Sequence, residues 1–164
     1  ISKPVHWHMI GHLQRNKVKY IVPFVSLIHS VDSKRLADEI ERQAQKIQRE
    51  IPILIEVNMG REESKFGFLE EEVLPFLKQV ETYQFVKIMG LMTSAPYVED
   101  SEQNSKIFHK MKQLSVDIEA ENIDNVSMEW LSMGMSNDYQ VAIREGSNMV
   151  RIGTGIFGMR NYLI

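Results

Sequence analysis

The sequence predicts a parallel α/β fold, and within that class a (β/α) barrel. Short apolar runs alternate with longer amphipathic stretches, as in a series of about six βα units. No antiparallel hairpin signal interrupts the series. Polar residues follow one apolar run after another, which favours a barrel because its site forms from the loops after the strands. A doubly wound nucleotide-binding fold is the alternative, but no Gly-x-Gly-x-x-Gly motif follows the first run.

Six apolar runs are predicted to be the strands. Each is rich in Val, Ile, Leu or aromatic residues, which is typical of strands buried on both faces. None is long enough to be a helix of ordinary length. The predicted strands are 5–10, 24–28, 51–57, 85–92, 127–133 and 149–152.

Helical periodicity fills the intervals between these strands. Asp32 or Ser33 is predicted to cap a helix whose apolar stripe runs from Leu36 to Ile47. A second long helix is predicted from about Ser101. Shorter helices are predicted at 14–21, 70–80 and 137–145, with Pro75 in the first turn of its helix and Gly146 as a left-handed C-cap.

Length, charge and composition exclude several classes of protein. The 164 residues carry a net charge of −3, with no basic tract for nucleic acid and no apolar run that could span a membrane. Cysteine is absent, which excludes disulfides and thiol catalysis. No secretory signal pattern is present at residues 1–4. We therefore expect one domain over 1–164, located in the cytoplasm, with neither nucleic acid nor membrane as a partner.

The last two predicted units end in residues that suit a phosphate group. Ser136 follows one strand, where it would either cap the next helix or offer its hydroxyl to an anion. Gly153, Thr154 and Gly155 follow the final strand, where glycines let backbone N–H groups approach a phosphate. The loops after the last two strands form a phosphate site in many barrels. The alternative is that Ser136 is only a cap and the glycines only shape a turn.

Arg151 is the one charged residue in the final apolar strand. A buried charge needs a partner or a function, because an unpaired one is very unfavourable. It lies directly before the glycine loop. We therefore place it in the site, with a structural salt bridge to a neighbouring strand as the alternative.

Three further residues are candidates for lining the same pocket. Lys65 precedes a Phe-Gly turn in the charged loop after the third strand, whereas Arg61 to Glu63 in that loop are expected to be solvated. His12 follows the first strand, and Met135 follows the fifth. No metal site is predicted, because His6, His8 and His12 have no acidic or Cys partner at a ligand-like spacing.

Three stretches carry a resemblance to a known family. They are WHMIGHLQRNK (7–17), LSMGMS (131–136) and VRIGTGIFG (150–158), with GLMT (90–93) between them. In order and spacing they resemble the YggS/PROSC (YlmE-like) family of pyridoxal phosphate homeostasis proteins. The resemblance covers the whole chain and implies a barrel of the alanine racemase N-terminal-domain type that binds pyridoxal 5′-phosphate (PLP).

The resemblance also implies roles for matching positions. Arg151 would face the pyridine nitrogen, Ser136, Gly153 and Thr154 would hold the phosphate, and Lys65 would lie near the 3-hydroxyl. An always-charged guanidinium at the pyridine nitrogen weakens PLP as an electron sink. The family members it resembles are carriers or regulators with little or no turnover.

One departure from the family pattern concerns the N-terminal side. The family attaches PLP through a Schiff base to a lysine at the end of the first barrel strand, and no matching motif is present here. Lys3 precedes Trp7 by only four positions, so we interpret it as a loop residue. The chain is expected to supply strands 3–8 of an eight-stranded barrel and to lack the first two βα units.

Three functional hypotheses follow from these patterns. The first is a PLP-binding protein of vitamin B6 homeostasis without turnover, whose partners include PLP-dependent apo-enzymes and which is a monomer or weak dimer. The second is a racemase-like PLP enzyme. The third is a barrel that binds another phosphorylated small molecule, such as a sugar phosphate.

Overall fold

A computed structural model of the chain describes residues 3–159, which form one six-stranded sheet covered by helices. The strands are β1 (His8–Met9), β2 (Leu27–Val31), β3 (Ile51–Glu56), β4 (Val86–Met92), β5 (Val126–Met135) and β6 (Met149–Arg151). The helices are α1 (Val18–Ile21), α2 (Lys34–Lys46), α3 (Glu70–Val80), α4 (Ser105–Ala120), α5 (Tyr139–Arg144) and α6 (Thr154–Phe157). Single 3-10 turns precede α1 and α4, at Arg15–Lys17 and Ser101–Asn104.

The strands lie in the sheet in the order of the chain, and every neighbouring pair is parallel. A doubly wound fold would reverse its strand order at a switch point, so that alternative is wrong. Right-handed crossovers that always step to the next position place their helices on one face of the sheet. The prediction of a parallel α/β fold is confirmed.

The two faces of the sheet differ in what covers them. We call the helix-covered face the outer face; its strand residues join the buried sides of the helices in one large apolar core. We call the opposite face the inner face. It carries a small apolar cluster of Leu27, Leu54 and Met92, flanked by Trp130 and Met149. His29 on β2 touches Ser132 on β5 across this face, which shows that the sheet is curled.

The first two strands differ from their predicted bounds. Only two residues of the predicted 5–10 run pair in β1, because this strand has a neighbour on one side alone within the described residues. β2 lies three residues after its predicted start, since His29 and Ser30 are buried strand residues rather than a polar loop. Ser30 reaches its partner by donating to the Gly11 carbonyl at 2.6 Å.

Two details of the helices differ from the prediction, and one agrees with it. α3 has its predicted bounds, but Pro75 lies inside it rather than in its first turn. Gly146 follows the end of α5 with φ of +103°, as its predicted left-handed role requires. The short helix α6 was not predicted, because the glycines at 153 and 155 indicated only a loop.

Candidate functional site

Ser136 joins the loops that follow β5 and β6. Its Oγ accepts hydrogen bonds from the Gly153 N–H at 3.2 Å and the Gly155 N–H at 3.1 Å. It does not cap α5, whose N-cap position is Asp138. The alternative in which Ser136 caps the next helix is therefore wrong; its oxygen accepts instead from the N-terminal end of α6. The structure brings Ser136 together with the glycine loop.

The space around this glycine loop suits a ligand. An added Cβ at Gly153 would meet nothing within 4 Å, whereas one at Gly155 would lie 3.2 Å from Ile152 and 3.5 Å from Ser136 Oγ. Gly155 is thus fixed by packing, while Gly153 faces open space. Thr154 between them is exposed.

The polar groups beside that space are hydrogen-bond donors. The Ser136 hydroxyl already accepts two N–H groups, so its own proton is left to donate outward. Thr154 adds a second hydroxyl at the start of α6. Two hydroxyl donors and glycine backbone next to open space fit a phosphate group, whose oxygens are strong acceptors.

Arg151 is held on the inner face by four hydrogen bonds. One terminal nitrogen donates to the Ser132 carbonyl at 2.9 Å and to Ser132 Oγ at 2.7 Å. The other donates to the Thr93 carbonyl at 2.8 Å and to Ser94 Oγ at 3.1 Å. Within residues 3–159, no carboxylate forms a salt bridge with it, so the structural salt bridge is wrong. Burial lowers the pKa of Arg151, and the nearby charges of Glu56 and Asp138 oppose that shift.

Lys65 converges with Arg151 on the segment after β4. Its Nζ donates to the Ser94 carbonyl at 3.2 Å and lies 2.5 Å from Glu62 Oε1. Arg61 pairs at the surface with Glu71, as expected of a solvated residue. Glu62 is instead half-buried against Lys65, so the expectation that it is solvated is wrong.

His12 lies at a different part of the same sheet edge. Its Nδ1 is 3.0 Å from Asp32 Oδ2, and its ring stacks on Phe66 with centroids 3.9 Å apart. It also lines an open groove of about 450 Å³ against α1. That groove is lined by Met9, Leu13, Gln14, Lys17, Tyr20 and Ile21 besides His12, and so it is separate from the glycine loop.

Met135 and the other histidines complete the predicted set. Met135 is paired with Arg151 in the sheet and is half exposed. His8 faces His29 rather than His12, with His8 Nδ1 and His29 Nε2 3.0 Å apart. Among the described residues, no three potential metal ligands come together.

Three inner-face residues were missed by sequence reasoning: His29, Ser132 and Glu56. Burial raises the pKa of Glu56 to about 6, with Asp32 acting in the same direction, while Arg151 and His12 oppose it. Burial lowers the pKa of His29 to about 3, helped by His8 and Arg151. The available signal was the one that identified Arg151, namely a polar residue inside an apolar strand.

Comparisons with known proteins agree with this fold. Residues 4–161 match the alanine racemase N-terminal domain family. A pyridoxal phosphate homeostasis protein of Aquifex aeolicus is 46% identical over 158 residues, which are 96% of this chain and 68% of that protein. The chain thus spans about two thirds of this relative's length. Between residues 3 and 159, no helix is long and apolar enough to cross a membrane.

Two solved structures show the same architecture. PipY of Synechococcus elongatus PCC7942, solved with PLP bound, is 29% identical with a TM-score of 0.86; 96% of this chain and 72% of PipY are covered. Alanine racemase of Clostridium difficile 630 is 15% identical with a TM-score of 0.78, covering 97% and 41%, and shows the fold alone. By its sequence matches, the chain belongs to the family of pyridoxal phosphate homeostasis proteins, which carries the alanine racemase N-terminal domain.

Proposed function

We propose that this chain is the phosphate- and pyridine-binding part of a PLP carrier or regulator in vitamin B6 homeostasis. The observation that carries the proposal is the position of Arg151, held by four hydrogen bonds at the end of β6, directly before the glycine loop. The Aquifex relative's name and the PLP bound to PipY support it.

In this proposal the phosphate lies at the loop after β6. Ser136 and Thr154 donate their hydroxyls to it, and Gly153 leaves the space that the phosphate occupies. Lys65 supplies a cation near the 3-hydroxyl, where its bond to the Ser94 carbonyl places it beside the segment that also binds Arg151. In this proposal His12 and Met135 lie at the border of the site, at the same edge of the sheet.

Arg151 would affect the electronic character of a bound PLP. PLP, when bound, supplies an electron sink that depends on its pyridine nitrogen becoming protonated. Arg151 can only donate, and among the described residues its Nε–H has no acceptor. A donor at the pyridine nitrogen keeps that nitrogen unprotonated. Arg151 would therefore weaken this sink. We favour a protein without turnover over a racemase-like enzyme because the Aquifex relative is named a homeostasis protein.

We also propose how this chain fits into a barrel. Residues 1–164 would form one domain that supplies strands 3–8, with the PLP-attaching lysine in two βα units upstream. The sequential parallel strands and the 68% coverage of the Aquifex relative support this. Cytoplasmic location, a monomeric or weakly dimeric state, and transfer of PLP to apo-enzymes stay predictions.

A PLP titration of the full-length protein tests the binding site. We expect Ser136→Ala to weaken PLP binding about tenfold, since it removes a hydrogen bond to a charged group. The absorbance of protein-bound PLP after dialysis is the measurement. Ser105→Ala is the matched control, because Ser105 bonds to Glu145 on the outer surface.

The titration also separates the competing ligands. Equal PLP affinity in Ser136→Ala and Ser105→Ala would contradict the proposed phosphate position. If a sugar phosphate displaced PLP at comparable concentration, the site would be a general phosphate site. Racemisation of an amino acid by the full-length protein would restore the racemase-like alternative.

A further inference from the structure

Four polar side chains form a continuous row across the inner face. Arg151 on β6 contacts Ser132 on β5, Ser132 contacts His29 on β2, and His29 contacts His8 on β1. The successive distances are 2.7, 2.9 and 3.0 Å. The row therefore links the last described strand to the first, across the concave side of the sheet.

Elementary hydrogen-bond chemistry sets the direction of this row. A guanidinium has no acceptor, so Arg151 donates to Ser132 Oγ. Ser132 is fully buried, and among residues 3–159 the one remaining neighbour that can accept its hydroxyl proton is His29 Nδ1. An unplaced proton there would leave a buried polar group unsatisfied. Ser132 therefore donates to His29.

The tautomers of both histidines follow from that direction. If Nδ1 of His29 accepts, its ring proton is on Nε2, which donates to His8 Nδ1. His29 is 1% exposed, and its lowered pKa keeps it neutral over the physiological range. A protonated His29 would present a second donor to Ser132 and a second positive charge to Arg151. Every hydrogen bond in the row is therefore donated in the same direction, from the Arg151 guanidinium toward β1.

We infer that His29 is a positioning residue for Arg151, because it takes the Ser132 proton and so holds the Ser132 oxygen as an acceptor for the guanidinium. With that acceptor in place, both terminal nitrogens of Arg151 are bonded to the protein and Nε–H is left for a ligand. The assignment deepens the proposed function, since it rests on Arg151 facing the pyridine nitrogen.

Substitutions of His29 can remove its contact to Ser132 and its contact to His8 separately. In His29→Asn the amide oxygen takes the place of Nδ1 and can accept from Ser132, while the contact to His8 is lost. In His29→Gln the longer side chain reaches toward His8 instead. His29→Leu removes both contacts. His6→Asn is the matched control, because His6 is exposed and lies outside the row.

The first readout is made on the full-length protein without PLP. Nitrogen-15 NMR should show His29 with an unprotonated Nδ1 and a protonated Nε2. The Arg151 Nε–H signal should broaden in His29→Leu and His29→Gln and stay sharp in His29→Asn and His6→Asn. A protonated Nδ1 on His29, or an Arg151 signal that no variant changes, would overturn the inference.

The second readout is the affinity for PLP. We expect His29→Leu and His29→Gln to weaken PLP binding about five- to tenfold. The PLP affinity of His29→Asn should stay within about twofold of that of the wild-type protein. Equal weakening in Asn and Leu variants would overturn the positioning role. If the unchanged protein did not bind PLP, the proposed function would fail, while the NMR readout would still decide the role of His29.

Discussion

The two faces of the sheet come from the same strands but have opposite chemistry. On β3, Ile53 and Ile55 point into the outer-face core and are fully buried among aliphatic side chains. Leu54 and Glu56 alternate with them and face inward. The period of two along a strand thus separates, within four residues, a wholly apolar face from one that mixes apolar and ionisable side chains.

This difference has an energetic meaning. The outer face gains stability from apolar burial. The inner face encloses groups whose charged forms are unfavourable there, as the raised pKa of Glu56 and the lowered pKa of His29 show. Perturbed ionisable groups of this kind are typical of functional sites. The fold therefore places its large apolar core on one side and its perturbed ionisable groups on the other.

The largest effect is expected at Gly90 on β4, where the backbone of β5 leaves no room for a side chain. Its φ is +147°, and an added Cβ would lie 1.8 Å from the Trp130 carbonyl oxygen. Gly90→Ala must separate the two strands and disrupts both faces together. We expect the free energy of unfolding to fall by more than about 4 kcal/mol, measured by urea denaturation of the full-length protein.

Gly153→Ala is the matched control for that substitution. An added Cβ there meets nothing within 4 Å, so stability should change by less than about 0.5 kcal/mol. If Gly90→Ala were as mild as Gly153→Ala, the close approach of β4 to β5 would be wrong.

A smaller loss is expected from a change confined to the outer face. Ile53→Ala leaves a cavity at a fully buried position and should lower the free energy of unfolding by about 3 kcal/mol. PLP affinity of the folded protein should be unchanged, because Ile53 faces the helices. A loss of affinity without a loss of stability would show that the two faces are not separable in this way.

The smallest change, and one of opposite sign, is expected at Glu56 on the inner face. Its pKa is raised from 4.5 to about 6, so the folded state holds more protons than the unfolded state between these values. Stability therefore falls as the pH rises through this range. The pKa shift corresponds to a loss of at most about 2 kcal/mol in the free energy of unfolding. Partial exposure of Glu56 reduces this loss to about 1 kcal/mol.

Glu56→Gln removes that penalty. At pH 7 the variant should be more stable than the unchanged protein by about 1 kcal/mol, and at pH 4 the two should be equal. Urea denaturation at both pH values measures the difference. A variant that is less stable at pH 7 would show that the Glu56 carboxylate stabilises the fold through Arg151.

Local patterns were sufficient for much of the fold. The parallel α/β class followed from alternating apolar runs and helical stripes, and α3 has its predicted bounds because its periodicity is continuous. The predicted bounds of β2 were wrong because His29 and Ser30 are polar residues that are nevertheless buried, each with a hydrogen-bond partner. Nothing in the neighbouring sequence indicates that the partner of His29 is Ser132, 103 residues later.

The candidate site, like the fold, was predicted from the sequence only in part. Ser136, Gly153 and Thr154 were identified from their places after predicted strands, since parallel strands bring their carboxyl ends to one edge. Arg151 was identified as a charge inside an apolar strand. Their sequence alone determined which chemistry is present: hydroxyls, glycine backbone and a permanent positive charge. Only the curled sheet decided the partners of each group, because His29, Ser132 and Arg151 meet across its concave face through contacts between distant parts of the chain.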